Sequence, residues 1–517
     1  MSSADTAPTA YDGSSRPPPS KPLSRMGVIL QLLPKIPLVA RVALLHILHV
    51  SPQSKYMDLT TDVSVAVLRS FLSPSKQLTV TQTQKLVNKD PGVKGRIWVS
   101  NYTAPSPGRS VRDAVMRAIT GLQEGSPLDS ALLDSLSDAG PVEAEWTGYR
   151  AGAAEDSPLP PLSEQERYDE MMKEVKTPTT ILYLHGGAYY LLDPCTHRPT
   201  TKTLAKLTGG RSYSVRYRLA PQHPFPAALV DALTSYLTLL HPPPGAFHAP
   251  VSSNHIVFSG DSAGGNLCLA LLQTILELNR QAAANPHSTI SWHGTEIPLP
   301  LPLPAGVAVS SPWLDMTHSS PSCTANAAFD YLPAFDPARP RSDPPPCPAW
   351  PASPPRKLLY VADELATHPL ATLLVARSWA GAPPVYICTG WELLADEDKF
   401  LAAKLYADGV RVVFEEYEGM PHCFAQIFTR LEGSRRCMRG WSDFIKEVTG
   451  EYQGGEEGGE GKGREGSRFV TVRARTLEEV PIDVGRLAPY AEGEMRGRVL
   501  RRGGVRVGGL DDTAAKL

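Results

Sequence analysis

Residues 256–266 read IVFSGDSAGGN, and the pentapeptide Gly260-Asp261-Ser262-Ala263-Gly264 has the G-x-S-x-G form of a nucleophile elbow. An apolar run with strand character, Ile256-Val257-Phe258, precedes it. An apolar run with helix character follows, through Leu267, Leu269, Leu271, Leu272, Ile275 and Leu276. A sharp turn between strand and helix holds a serine in a strained conformation with its hydroxyl outward. Side chains at 260 and 264 would collide with such a turn, and both positions are glycine. A Gly/Ser-rich loop without chemistry is the plainer alternative, and the flanking runs count against it. Upstream, residues 181–190 read ILYLHGGAYY, where the strand-like Ile181–Leu184 runs into His185-Gly186-Gly187-Ala188. A glycine-rich turn after a strand exposes backbone N–H groups. Acyl-transfer serine enzymes use such groups to bind the oxyanion of a tetrahedral intermediate, each worth about 3 kcal/mol. The N–H of Ala263, next to the serine and first in the helix, is a further donor. His185 suits the orientation of this loop better than it suits proton transfer.

A serine nucleophile needs a base, and the base needs an acid that fixes its tautomer. His422, in YEGMPHCF, lies on a Gly/Pro-bearing loop after the strand-like Val410–Phe414. Between serine and histidine, CTGWELLADED (388–398) follows the strand-like Val385-Tyr386-Ile387, and among its carboxylates Glu392 and Asp396 are the candidates. Both fit the order serine, acid, histidine. The chain has 13 histidines, so residue type alone selects nothing; position after the last strand of a fold that already contains an elbow singles out His422. The acid is less distinguished, because carboxylates are common on surfaces.

Taken together, HGGAYY, YRLAPQHPFPAAL (217–229), GDSAGGNL, SPWLDMT (311–317), GWELLADED and YEGMPHCF occur in an order that resembles the hormone-sensitive-lipase branch of the α/β-hydrolase superfamily, its fold-3 group. The resemblance covers about residues 95–448. It implies an α/β-hydrolase fold, a mainly parallel eight-stranded sheet with helices on both faces and a helical cap. It implies Ser262 as nucleophile, His422 as general base, Glu392 as acid with Asp396 as the alternative, and oxyanion donors among Gly186, Gly187, Ala188 and Ala263. Ala188 stands where a third glycine is usual and narrows the acyl pocket, while Glu392 stands where most members carry Asp. The expected substrate-pocket residues are His185, Tyr189, Tyr190, Asp261 and Trp313. Ordinary packing is the alternative for the aromatics. The implied substrates are esters of short to medium acyl chains.

At 517 residues the chain has room for a large catalytic domain and additions. The formal net charge of −2 argues against a nucleic-acid partner. Seven cysteines, scattered singly with no CxxC and no Cys/His metal spacing, do not form a disulfide framework. They point to a reducing, intracellular and cytoplasmic setting and leave an endoplasmic-reticulum membrane face open. No metal or cofactor is called for.

Residues 1–25 are Ser/Pro/Thr-rich, with the composition of a disordered N-terminus. Residues 26–94 form an apolar, helical unit. Within it, 26–50 are interrupted by Pro34, Lys35, Pro37 and Arg41, too broken for a bilayer span and unlike a secretory signal. This segment either packs on the catalytic domain, the simpler arrangement, or lies in a membrane interface. Eight strands are expected between residues 96 and 415, alternating later with helices. Insertions near 103–141, 279–304 and 321–357 have compositions suited to extended connections. A Gly/Glu linker (449–467) precedes a C-terminal tail (468–517) with ten basic and seven acidic residues, in which RFVTVRART and RRGGVRVGG have short-strand character.

Three functions compete: a carboxylesterase or deacetylase; a membrane-associated lipid or steryl-ester deacetylase; and a non-catalytic small-molecule-binding protein, as in the plant gibberellin receptors that resemble this family. Presence of both Ser262 and His422 speaks against the third. The sequence sets no oligomeric state.

Overall fold

The structure, a computed structural model, describes residues 32–73, 77–124, 140–334, 343–451 and 464–504. The expected disordered N-terminus, most of the Gly/Glu linker and the end of the tail lie outside the described residues.

Among the described residues twelve strands form, in chain order: β1 (Ile97–Ala104), β2 (Val142–Tyr149), β3 (Thr180–Leu184), β4 (Arg211–Arg216), β5 (Ile256–Asp261), β6 (Thr289–Trp292), β7 (Thr295–Pro298), β8 (Gly306–Ser310), β9 (Val385–Gly390), β10 (Val412–Tyr417), β11 (Arg468–Val472) and β12 (Glu479–Pro481). Ten of them make one sheet, ordered β1-β2-β4-β3-β5-β8-β9-β10-β11-β12. β2 runs antiparallel to β1 and β4. From β4 through β11 the neighbours are parallel. The eight strands read from the sequence are the first eight of this order, within about two residues at each end.

The central strands are buried on both faces, and most of their side chains are apolar. Side chains alternate between two cores. Leu182, Leu184, Phe258, Val307, Val309 and Ile387 face one; Ile181, Tyr183, Val257, Ala308, Tyr386 and Cys388 face the other. The first core is covered by the helices Ala227–Leu240 and Ala263–Ala284, the second by Pro194–Thr208 and Glu432–Val448.

Two insertions depart from the expected extended connections. Within 103–141, residues Arg109–Leu122 form a helix because Val111, Ala114, Val115, Ala118 and Ile119 fall on one buried stripe at helical spacing. Within 279–304, the elbow helix continues to Ala284, and β6 and β7 form a hairpin. Its two-residue turn is His293-Gly294, with φ 46° and 84°, the left-handed pair that a tight hairpin demands. Ile290, Trp292 and Ile297 are buried along it. The 321–357 segment carries only the short helix Ser322–Ala325 among its described residues.

In the tail, RFVTV takes the strand form read from the sequence. β11 extends the parallel sheet and β12 closes its edge. Phe469, Val470 and Val472 are buried, and Arg468 joins Arg436 on the fully buried carboxylate of Glu415. The helix Glu492–Arg502 follows, so the described part of RRGGVRVGG is a helix end instead of a strand.

Toward the N-terminus lie the helices Ile36–Ile47, Leu59–Leu72 and Val80–Val87. Arg69 donates to the carbonyl of Asp330 (2.9 Å), and the Gln84 amide donates to the carbonyls of Tyr190 and Ala220 (both 3.0 Å). Packing of Ile36–Ile47 itself is slight, with His46 its one buried residue.

Candidate active site

All the candidate groups lie just past the C-terminal ends of parallel strands, the edge where open α/β sheets bind ligands. Ser262 follows β5, the HGGA turn follows β3, Ser311 follows β8, Glu392 follows β9 and His422 follows β10.

Ser262 has φ 52° and caps the helix Ala263–Ala284, half-buried. Its N–H donates to Ser310 O (3.0 Å), and its carbonyl accepts from the N–H of Trp313 (3.0 Å) and of Asn266 (3.1 Å). These bonds hold a left-handed, non-glycine conformation whose cost is of order 1 kcal/mol. A Cβ at 264 would overlap the carbonyl oxygens of Leu184 and His185, and one at 260 would overlap Leu184 O. The elbow glycines are therefore demanded by close approach to the end of β3, which brings the HGGA turn against the serine.

In that turn Gly187, Ala188 and Tyr189 have φ 111°, 52° and 64°. Among the described residues the N–H groups of Gly187 and Ala188 enter no hydrogen bond. His185 is buried and stacked on Tyr217, ring centroids 4.3 Å apart, with Nδ1 2.7 Å from Gly186 O. Burial, then the neighbouring His197, lowers its pKa to about 4, so it is neutral at physiological pH. That is an orienting group.

His422 Nδ1 contacts Glu392 Oε2 directly. The other oxygen of Glu392 accepts from Ser311 Oγ (2.5 Å), Thr389 Oγ1 (2.9 Å) and Gly390 N (3.1 Å). Burial works against charge on both groups. The His422 charge and these donors nonetheless hold the Glu392 carboxyl below its ordinary pKa. Glu392 in turn raises the His422 imidazole above its own. Both shifts describe a carboxylate bound to an imidazolium. Asp396 is spent elsewhere: its carboxylate accepts from the N–H of Ser322 (2.9 Å).

Three residues expected in the substrate pocket are buried. His185 is buried as described. Asp261 is tied to the Tyr183 hydroxyl (2.6 Å) and to His197 (3.4 Å). Although burial opposes its charge, His197 keeps it below the ordinary carboxylate range. Tyr189, turned by its positive φ, is fully buried, stacked on Tyr360 (3.5 Å) and bonded to Asn266 (2.6 Å). Tyr190 and Trp313 are half-buried, and Trp313 N–H holds the Ser262 carbonyl.

Two residues escaped the sequence reading. Ser311, with φ 49°, donates to Glu392 and accepts from the N–H of Cys423 (3.1 Å), joining the acid to the loop of His422. Its signal was its place as the first residue after the buried GVAVS strand. Asp330 is fully buried and accepts from the N–H of Leu393 (2.9 Å), Leu332 (3.1 Å) and His422 (3.3 Å). No local pattern marks it. Among the described residues no group of three His, Cys, Asp or Glu side chains is arranged to hold a metal.

Residues 181–426 match the family profile described as alpha/beta hydrolase fold. An acetyl-hydrolase of Streptomyces hygroscopicus is 30% identical over 275 residues, covering 53% of this chain and 77% of that protein. An esterase of Acinetobacter venetianus is 28% identical over 283 residues, covering 54% of this chain and 79% of that protein. A solved structure, the HSL-homolog EstE7 from a metagenome library, is 22% identical with TM-score 0.48, covering 76% of this chain and 99% of that one.

Proposed function

The chain belongs to the α/β-hydrolase family, in its hormone-sensitive-lipase-like branch, and we propose that it is a carboxylic ester hydrolase working through an acyl-enzyme on Ser262. The observation that carries this reading is the buried His422–Glu392 pair held at the same sheet edge as the positive-φ Ser262. His422 takes the Ser262 proton as Oγ attacks the ester carbonyl carbon. Glu392 holds the imidazole and balances its charge. N–H groups of Gly187, Ala188 and Ala263 receive the oxyanion. Collapse breaks the C–O bond to the alcohol, which leaves with the proton from His422. Water, deprotonated by His422, then releases the acid and restores the serine.

Short- to medium-chain acyl or acetyl esters are the proposed substrates. An acetyl-hydrolase and an esterase among the relatives support this range, as does Ala188 where a glycine would leave more room. A fluorophosphonate probe tests the mechanism: the serine oxygen displaces fluoride from phosphorus. The expected result is one adduct, on the peptide bearing Ser262. A folded protein with no adduct there contradicts it.

A second reading adds a membrane surface. Among the described residues, the exposed large hydrophobics other than Ile427 all lie between Leu32 and Leu86, among them Ile36, Leu44, Ile47 and Leu48. No described helix is long and apolar enough to cross a membrane, so this face would lie in the interface, as for a lipid or steryl-ester deacetylase. Each aliphatic side chain buried there contributes about 1.5–3 kcal/mol. The triple change Leu44→Ser, Ile47→Ser, Leu48→Ser is expected to abolish sedimentation with phosphatidylcholine vesicles while turnover of a soluble ester persists. Equal sedimentation of wild type and variant contradicts this reading.

A further inference from the structure

On the second-core side of the sheet, a cleft of about 420 Å³ opens between the helices Pro194–Thr208 and Glu432–Val448 and the β1–β2 edge. Its lining includes neither Ser262, Glu392, His422 nor the HGGA turn. Its walls carry six cationic side chains, Lys94, Arg96, Lys202, Lys206, Arg435 and Arg439, against one carboxylate, Glu155.

Few of these charges are neutralised. Arg435 and Arg439 share the exposed Glu432, at 2.9 and 3.1 Å. Lys206 lies over the ring of Tyr149, 5.0 Å from its centroid. Arg96 donates to Ala153 O (3.0 Å) and reaches the Tyr149 hydroxyl (3.5 Å). Among the described residues Lys94 and Lys202 form no ion pair with a carboxylate. The hydrogen bond from Arg96, assisted by the charges of Lys206 and Arg96, holds the Tyr149 phenol below its ordinary pKa. That marks a positive local potential.

A second observation points to a ligand. Gln426 lines the cleft, and both atoms of its amide are buried with no hydrogen-bond partner. Leaving such groups unpaired costs about 1–3 kcal/mol, which a bound polar group would recover. Leu207, Met438 and Ala425 supply an apolar floor. The volume suits a small organic molecule (~300–1,000 Å³ is usual). A single carboxylate would leave most of this charge unmatched, whereas a phosphate dianion accepts several cationic donors at once.

We propose that this cleft is a binding site for a phosphomonoester, its phosphate held by Lys94, Lys202 and Lys206 and its remaining polar atoms by Gln426. The same headgroup occurs on soluble phosphorylated metabolites and on phosphatidate, and one experiment separates them. Calorimetry of the full chain with inorganic pyrophosphate is run beside the double variant Lys202→Gln, Lys206→Gln, and both proteins are sedimented with phosphatidylcholine vesicles, with and without phosphatidate. Ester turnover reports that the variant is folded. The expected result is saturable pyrophosphate binding that weakens about tenfold or more in the variant. Lysine-dependent sedimentation specific to phosphatidate adds the lipid as the source; its absence supports the soluble phosphomonoester. No saturable pyrophosphate binding, or binding equally tight in the double variant, overturns the proposal.

Discussion

Each member of the proposed triad is held by bonds that do not belong to the reaction. Ser262 is fixed through its own backbone, Glu392 through Ser311, Thr389 and Gly390, and the His422 backbone through Asp330. This arrangement ranks substitutions. Ser262→Ala and His422→Ala are expected to lower kcat by about 10⁴-fold or more, Glu392→Ala by about 10²–10⁴-fold, and Asp396→Ala, whose carboxylate accepts from Ser322 and not from His422, by less than about tenfold. Steady-state kinetics on one ester check the order; an inactive Asp396→Ala beside a nearly normal Glu392→Ala would reverse the acid. The pH dependence follows from the same pair. Catalysis needs neutral His422, and Glu392 raises the imidazole pKa, so activity falls as pH drops through that raised value. In Glu392→Gln the raising charge is gone, and the acid limb of kcat/KM is expected at lower pH, on a much reduced rate. An unmoved limb would mean that another group sets it.

At the scale of elements, what was readable depended on distance along the chain. The eight catalytic strands, the elbow and the HGGA turn are local patterns: an apolar run, then glycines where backbone meets backbone. Each is complete within about ten residues, so composition and spacing expose it. Asp330 is the opposite case. Its neighbours Arg69, Leu393 and His422 come from three distant segments, Arg69 261 residues away. The helix Arg109–Leu122 was legible by its apolar spacing but was overshadowed by the proline-rich composition around it. Arg-rich composition likewise hid the role of β11, because Arg468 serves a buried carboxylate that lies in β10. Removing residues 464–517 strips Phe469 from the first core and Val470 and Val472 from the second, and takes one of two guanidinium partners from Glu415. The truncated protein is expected to lose about 3 kcal/mol or more in urea unfolding. A truncated chain as stable as the full one would show that β11 and β12 merely rest on the sheet edge.

Across the whole molecule, one rigid sheet serves three surfaces. Its C-terminal edge gathers the serine, acid and histidine. Its N-terminal helices reach over the neighbouring Tyr190 and the segment around Asp330 and leave an apolar face outward. Its second-core side carries the cationic cleft. The central claim concerns only the first surface, that ester bonds are cut by Ser262. Its most direct test is hydrolysis of p-nitrophenyl esters from acetyl to palmitoyl by wild type beside Ser262→Ala. The account predicts turnover that peaks at short or medium chains and vanishes in Ser262→Ala. Turnover that survives the substitution, or a folded wild type inactive at every chain length, would contradict it.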